Sequence, residues 1–526
     1  MDPTDWLLRS EERGNSFSGI DKDNPDGEAW TAGNRVRPLV HGATYFAELY
    51  ERLLATREGD RIYFSDWRGD PDERLTGFPG SEIGVVLGAA DERGVDVRGL
   101  VWRSHWDKLA FSAEENRHLG HELQDHGAEV LLDMRVRSGG SHHQKMVVIR
   151  HRDDPTRDIA YVGGIDLCHS RRDDASHRGD PQPQSMAEAY GATPPWHDVQ
   201  VAIEGPAVRD VESVFRERWE DPAPLTRNPF YRIQDRLQGF DVTPDPLGEQ
   251  WPAPPPVPGG DHTVQLLRTY PRLRRTRSYP FAPQGERSVA RGYTKALNRA
   301  RHLVYIEDQY LWSHDVGDTF VKRLAASPDL HVIAVLPHVP DQDSPMSKIP
   351  QIVGRHRAMA RMQQAAPDRF AVYGIENHEG TPVYVHAKVC VMDDWWATVG
   401  SDNFNRRSWT HDSELSCVVV DPTGGDHSPY ARALRLQLAA EHLDRDPGDV
   451  ADLVDSHAMF QAYAESARAL QAWHDGGRVG ERPPGRLRPL GPPDLGPVTR
   501  AVAAVPYRLV HDPDGRPNGL KRDQRY

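Results

Sequence analysis

Long apolar runs are missing from this chain of 526 residues. No stretch approaches the ~18–20 consecutive apolar residues that a bilayer-crossing helix requires, so no membrane span is expected. Cysteine is scarce. Cys168, Cys390 and Cys417 are odd in number and follow or sit inside apolar, strand-like segments. They read as small buried side chains in a reducing compartment, not as a disulfide framework. The opening Met1-Asp2-Pro3-Thr4-Asp5 lacks the basic and apolar regions of a secretory signal, so a cytoplasmic address is expected. Positive charge is in deficit: 64 Lys and Arg face 78 Asp and Glu, a net charge of −14. Proteins that track nucleic-acid phosphates usually carry a basic stripe. Here the Arg-rich run Arg272-Leu273-Arg274-Arg275-Thr276-Arg277 is short, and it fits a solvated face or anionic headgroups better. Nucleic acid is therefore disfavoured as a partner. Metal-ligand spacings such as His-Glu-x-x-His or paired Cys-x-x-Cys are also missing, so no metal or other cofactor is expected.

What the chain does contain is one short motif written twice, as Ser141-His142-His143-Gln144-Lys145 and as Val385-His386-Ala387-Lys388. Each copy runs into an apolar stretch, Met146-Val147-Val148-Ile149 or Val389-Cys390-Val391-Met392. Each then reaches, after a turn, a small-residue segment: Gly163-Gly164-Ile165-Asp166 or Gly400-Ser401-Asp402-Asn403. The apolar stretches predict buried strands, and on extended backbone positions i and i+2 share a face. His143 and Lys145 should point the same way, as should His386 and Lys388. Gly164 with Asp166, and Ser401 with Asn403, repeat that spacing. An imidazole beside a fixed ammonium suits a tetrahedral anion better than a metal, because the Lys neutralises phosphate oxygens while the His attacks phosphorus or protonates a leaving oxygen. Two copies imply one active site built from two halves.

Among 25 histidines a bare His-x-Lys could arise by chance, but the second copy is far longer. After His386, Asp393 follows at seven residues, Ser401 at fifteen, Asn403 at seventeen and Glu414 at twenty-eight. This array resembles the signature of the phospholipase D superfamily. Further segments look like its two-copy members: Tyr161 to Leu167, Trp196-His197-Asp198-Val199, Ile203 to Val208, and Tyr305 to Tyr310. The resemblance implies an α/β fold of two similar domains, each a mixed β-sheet flanked by helices, meeting at a pseudo-twofold axis. It implies that one His becomes a phosphohistidine while the other protonates the leaving alcohol, without a metal. By analogy His143 is the nucleophile and His386 the general acid. Asp198 and Glu414 would hydrogen-bond a catalytic imidazole. Lys145, Lys388, Ser401 and Asn403 would hold phosphoryl oxygens, with Gly164 and Asp166 at the matching first-half positions. Asp393 would be structural. The first copy departs from the pattern, since Arg150 stands where the family usually has Asp. Asp153 or Asp154 is expected to substitute for it, and Arg150→Asp to leave activity within about tenfold, ~1.4 kcal/mol of barrier.

The function so implied is a phosphodiesterase of phospholipase D type. It would act peripherally at a membrane surface on phospholipid, with water or an alcohol as acceptor. The alternatives are a phosphatidyl transferase of cardiolipin-synthase type, a nuclease of the same superfamily, and a non-catalytic lipid- or phosphate-binding protein with a degenerate first motif. His142 is expected to face away from the site, and His197 and His411 to be its neighbours. For Trp67, Trp196, Trp312 and Trp409, core packing is expected over lining an entrance.

The organisation follows from periodicity and proline. Residues 1–38 read as an irregular polar arm, and 39–245 as a first domain. Residues 246–262 read as a Pro-rich linker, 263–475 as a second domain and 476–526 as a Gly/Pro-rich tail. Apolar residues at helical spacing predict helices over 46–54, 207–219, 289–300 and 450–473, and strands over 61–67 and 303–306. The repeated helix-then-strand opening marks an internal duplication.

Overall fold

The computed structural model describes residues 5–22, 24, 27–104, 116, 119–120, 128–237, 239, 242–273, 278–311, 313–341, 345–491, 507–523 and 525–526. Trp312 and the Arg274–Arg277 stretch lie outside the described residues.

Apolar, β-branched segments supply the strands. In the first half these are β1 (Thr31–Val40), β2 (Arg61–Asp66), β3 (Asp96–Trp102), β4 (Glu129–Asp133), β5 (Met146–Arg150), β6 (Ile159–Gly163), β7 (Trp196–His197) and β8 (Val199–Glu204). In the second half they are β9 (His262–Tyr270), β10 (Glu286–Arg287), β11 (Leu303–Glu307), β12 (His331–Val335), β13 (Phe370–Ile375), β14 (Tyr384–Val385), β15 (Val389–Met392), β16 (Trp396–Gly400) and β17 (Glu414–Val420), with β18 (Leu487–Pro489) added near the end. The first half is ordered β1-β8-β6-β5-β2-β3-β4 and the second β9-β17-β16-β15-β11-β12-β13, strand for strand the same topology. β9 pairs antiparallel with β1, so the two halves share one continuous sheet. In each half a parallel trio (β2, β3 and β4; β11, β12 and β13) adjoins antiparallel strands. Both faces are covered, which is why β4, β5 and β6 are buried along their whole length.

The helices Gly42–Leu54, Ala207–Trp219 and Ser288–Arg299 each turn an apolar stripe onto the sheet. The helix Ser456–Asp475 follows a 3-10 turn at Ala451–Val454. Two expectations about the ends are corrected. The arm contains a short helix, Ser10–Arg13, and its residues from Thr31 onward form β1 at the centre of the sheet. Pro38 and the Arg-rich alternation disguise that strand; pairing with β9 ends at Asn34, so Pro38 lies where only β8 flanks it. The tail is not all coil, since β18 pairs with β13 and a helix spans Asn518–Arg522. Residues 246–261 of the proline-rich segment form no helix or strand, and His262 opens β9, yet the segment packs on the first half: Trp251 lies 4.0 Å from the Arg61 guanidinium, and Gly33 accepts a 2.8 Å bond from the Val257 N–H.

The equivalent junctions around Asp393 and Arg150 show how the two halves diverged. On the turn after β15, the Asp393 carboxylate accepts from the backbone N–H groups of Arg301, His302 and Leu303, at 2.6–2.9 Å, and so pins the entry to β11. In the first half the carboxylate sits on the opposite side. Asp60, just before β2, accepts from Arg152 N at 2.9 Å on the turn after β5. Neither Asp153 nor Asp154 takes the role; Asp154 caps the turn Pro155–Arg157 instead. Arg150 is buried between Asp158 (2.7 Å), Glu212 and the Pro252 carbonyl (2.6 Å). Replacing it with Asp would gather three buried carboxylates, a cost in stability that the expectation about activity did not include.

Candidate active site

The two motif copies reach the site on extended segments that cross the boundary between halves. β7 pairs in parallel with β14, Val385 opposite His197, so the next step sets His386 beside Asp198. His142 makes an isolated parallel bridge to Ser413, so the next step sets His143 beside Glu414. Backbone bonds hold both pairings: His386 N to His197 O at 2.8 Å, and His143 N to Ser413 O at 2.9 Å. Each histidine is therefore oriented by the acid of the other half. His143 Nδ1 lies 2.8 Å from Glu414 Oε2, and His386 Nδ1 lies 2.7 Å from Asp198 Oδ2. With each Nδ1 held by a carboxylate, Nε2 is the nitrogen left for chemistry.

Both lysines are buried, and each ammonium donates to the carbonyl of the histidine two residues before it. Burial, then the ammonium groups of Lys145 and Lys388, hold His143 well below the ordinary imidazole pKa. Burial, Lys388, Arg171 and Lys145 do the same to His386. Each imidazole thus feels both lysines. Burial pushes Glu414 up to about 8, and raises Asp198. Burial also lowers Lys388 to about 7, against the pull of Asp198 and with the help of Lys145. An anion arriving among these groups would restore its charge.

The remaining expected site residues divide by what they touch. The Ser401 hydroxyl donates to Glu414 Oε2 at 2.6 Å and accepts from Leu415 N at 3.0 Å, so its hydrogen is committed to the acid. Gly164 lies against Asp198, where a Cβ would run into the carboxylate. Asp166 accepts from the N–H groups of Trp67 (3.2 Å) and Arg68 (3.3 Å), and its Oδ1 is 3.4 Å from Lys145 Nζ. Burial raises its pKa, but Lys145 and Arg171 outweigh burial and leave it below the ordinary value. Asn403 is buried, with no hydrogen-bond partner for its Oδ1 among the described residues.

Sequence reasoning missed Arg171. Its guanidinium is buried 4.0 Å over the Trp196 ring and 3.8 Å from Asp166, a third cation at the site. A single Arg in an irregular loop carries no spacing signal. Trp67 is corrected from core to site, half-buried and edge-on to His143 at 6.1 Å; Trp196 is buried in a small core cluster with Ala187, Tyr190 and Tyr384, as expected, and also packs on His386 at 4.9 Å. Trp409 is fully buried against Tyr293 and Phe404. His142 faces away, toward Ser65 and Asp133. His411 is buried without a side-chain hydrogen bond among the described residues. His197 lies behind the site, in a group with His41, His177 and Glu441 close enough to hold a metal ion. The three cysteines are free and buried. Among the described residues no helix is long and apolar enough to cross a membrane.

Comparison with known proteins gives a family. A family model described as Phospholipase D matches residues 112–244, and one described as Cardiolipin synthase, PLD-like domain, matches residues 293–432. The chain is 24% identical to phospholipase D alpha 1 of Cynara cardunculus over 512 residues, covering 73% of this chain and 62% of the relative. It is 24% identical to phospholipase D2 of Bos taurus over 555 residues, covering 83% and 56%. It therefore spans less than two thirds of the length of these curated relatives. Among solved structures, the phosphatidylserine synthase of Haemophilus influenzae Rd KW20 superposes with a TM-score of 0.50 at 13% identity, covering 85% of this chain and 95% of that one.

Proposed function

This chain belongs to the phospholipase D superfamily, with two domains of that type, and from that premise we propose that it hydrolyses phospholipids by double displacement. The carrying observation is the crossed pair of His–carboxylate contacts around two buried lysines. In this reading the bound phosphodiester anion offsets the lysines and lets His386 carry a proton; His143 Nε2 attacks phosphorus and breaks the bond to the leaving alcohol, whose oxygen takes that proton from His386. His386 then removes a proton from water, which attacks the phosphohistidine and releases His143. Lys145, Lys388, Arg171 and Asn403 neutralise and hold the phosphoryl oxygens, while Ser401 and Gly164 serve the two acids. No step calls on a metal, because the ammonium groups supply the positive charge.

A lipid substrate is supported by the relatives' names and by one surface feature. The helix Pro229–Leu237 exposes Phe230, Ile233 and Leu237 on one stripe, with Arg232 and Arg236 on the same helix, a composition suited to an anionic lipid interface. It packs through Asp235 and Tyr231 against Arg103. Arg103 follows Trp102, which stacks on Trp67 beside His143. The second reading, transfer of a phosphatidyl group to an alcohol, uses the same intermediate and is favoured by the cardiolipin-synthase description of the second-half match. The deciding experiment assays choline and ethanolamine phospholipids, cardiolipin and DNA, each with and without an added alcohol. Phosphatidic acid as main product supports hydrolysis, and an alcohol-linked phospholipid as main product supports transfer. DNA cleavage without lipid turnover refutes both.

A further inference from the structure

Behind the His386–Asp198 pair, three imidazoles converge on one carboxylate. Glu441, on the helix Pro429–His442, has Oε2 2.8 Å from His41 Nε2; its Oε1 is 2.9 Å from His177 Nε2 and 3.5 Å from His197 Nδ1. These ligand atoms all lie within 4.8 Å of one another, and the three histidines are no more than 4% exposed.

The far nitrogens define which atoms carry hydrogen. His177 Nδ1 is 3.0 Å from the Trp196 carbonyl, and His197 Nε2 is 2.7 Å from a Glu307 oxygen. A carbonyl and an ionised carboxylate only accept, so both nitrogens are N–H donors. The inner nitrogens, His177 Nε2 and His197 Nδ1, face the Glu441 oxygens, and His197 Nδ1 has no hydrogen-bond partner among the described residues. Either protons on these nitrogens or one metal ion meets the buried carboxylate, and a metal ion is the cation that all four donors can reach at once. Outer N–H groups donated to a carbonyl or carboxylate are the arrangement that orients metal-ligating histidines. His41 and His177 also sit at φ of 68° and 51°, conformations that a side chain rarely adopts without a compensating contact. Bonds of about 2.0 Å to a tetrahedral ion would need donors about 3.3 Å apart, within the spread of the contacts above.

We propose that His41, His177, His197 and Glu441 form a buried structural site for one divalent transition-metal ion, zinc by the chemistry of its donors. Binding would send protons from the imidazoles to solvent and involves no electron transfer. Three ligands come from the first half and one from the second, so the ion fastens the halves together. It does so directly behind the catalytic pair, since the His197 carbonyl holds the N–H groups of His386 (2.8 Å) and Ala387 (3.1 Å), and His41 N donates to the Asp198 carbonyl at 2.9 Å.

The test uses the full chain, stripped with a chelator and titrated with Zn²⁺ or Co²⁺ alone. The expected result is one equivalent bound per chain, a tetrahedral Co²⁺ absorption spectrum, a raised melting temperature, and loss of all three in His41→Gln and in His177→Gln. X-ray absorption on the unaltered chain, which does not depend on any variant folding, should show three imidazoles and one carboxylate oxygen. Failure of the stripped chain to take up an ion stoichiometrically would overturn the proposal and leave protons as the cations of the cluster. So would binding that survives both substitutions, binding lost instead in His386→Asn, or a first shell dominated by water oxygens. None of these readouts depends on phosphodiesterase activity.

Discussion

Exchanging Glu414 for glutamine removes one charge and almost no volume, which makes it the sharpest probe of the crossed geometry. Glu414 is fully buried, and its Oε2 faces His143 Nδ1 at 2.8 Å while accepting from Ser401 at 2.6 Å. Glutamine keeps one oxygen for those two donors and places its NH₂ where Oε1 lies without a hydrogen-bond partner among the described residues. What disappears is the attraction between the carboxylate and the positive charge that grows on the imidazole as Nε2 bonds to phosphorus. With charge centres ~4 Å apart and an effective dielectric constant of ~20, that attraction is about 4 kcal/mol. Turnover should fall about a thousandfold, since each ~1.4 kcal/mol of barrier is tenfold. The assay is headgroup release from a short-chain soluble phosphodiester, with the melting temperature measured alongside. Adding Glu414→Gln to His143→Asn should cost little more, because acid and imidazole act as a unit. A loss within about tenfold for Glu414→Gln, or coupling to His386 instead of His143, would refute the assignment.

His143→Asn and His386→Asn should each lose at least ~1,000-fold in turnover, and only the variant retaining the nucleophile should carry label from a phosphodiester onto the protein; near-native turnover of His143→Asn would remove the first half from catalysis. Below the value of about 8 to which burial pushes Glu414, the His143 pair keeps an extra proton and the nucleophile is lost; above the value of about 7 to which burial lowers Lys388, the phosphoryl group loses a cation. kcat/KM should therefore peak between these values and fall on both sides, with the acid limb abolished in Glu414→Gln; a flat profile from about pH 6 to about pH 9 would contradict it. Arg150→Asp should destabilise the fold by at least about 3 kcal/mol, since it leaves Asp158 and Glu212 buried without their guanidinium; denaturant unfolding reads this directly, and an unchanged midpoint would show that the buried carboxylates are relieved in another way.

The sequence by itself determined whatever depends on local period and on repetition. The buried strands after each Lys appear where β-branched runs predicted them, and the helix Ala207–Trp219 spans the expected residues. Duplication of the motif was enough to expect one site between two halves. Tertiary structure decided whatever depends on partners distant in the chain. That Glu414 holds His143 and Asp198 holds His386 follows from two parallel bridges across the pseudo-twofold axis, which no spacing within one copy encodes. Arg171, the Asp60 that takes over from Asp393's counterpart, and the cluster of His41, His177, His197 and Glu441 are single residues on unrelated segments. β1 stayed hidden because its place between β8 and β9 is a property of the assembled sheet, while its own Arg and Pro residues read as an exposed arm. Periodicity reports which face of an element is buried; which residue waits on the other side is decided only when the sheet closes over both halves.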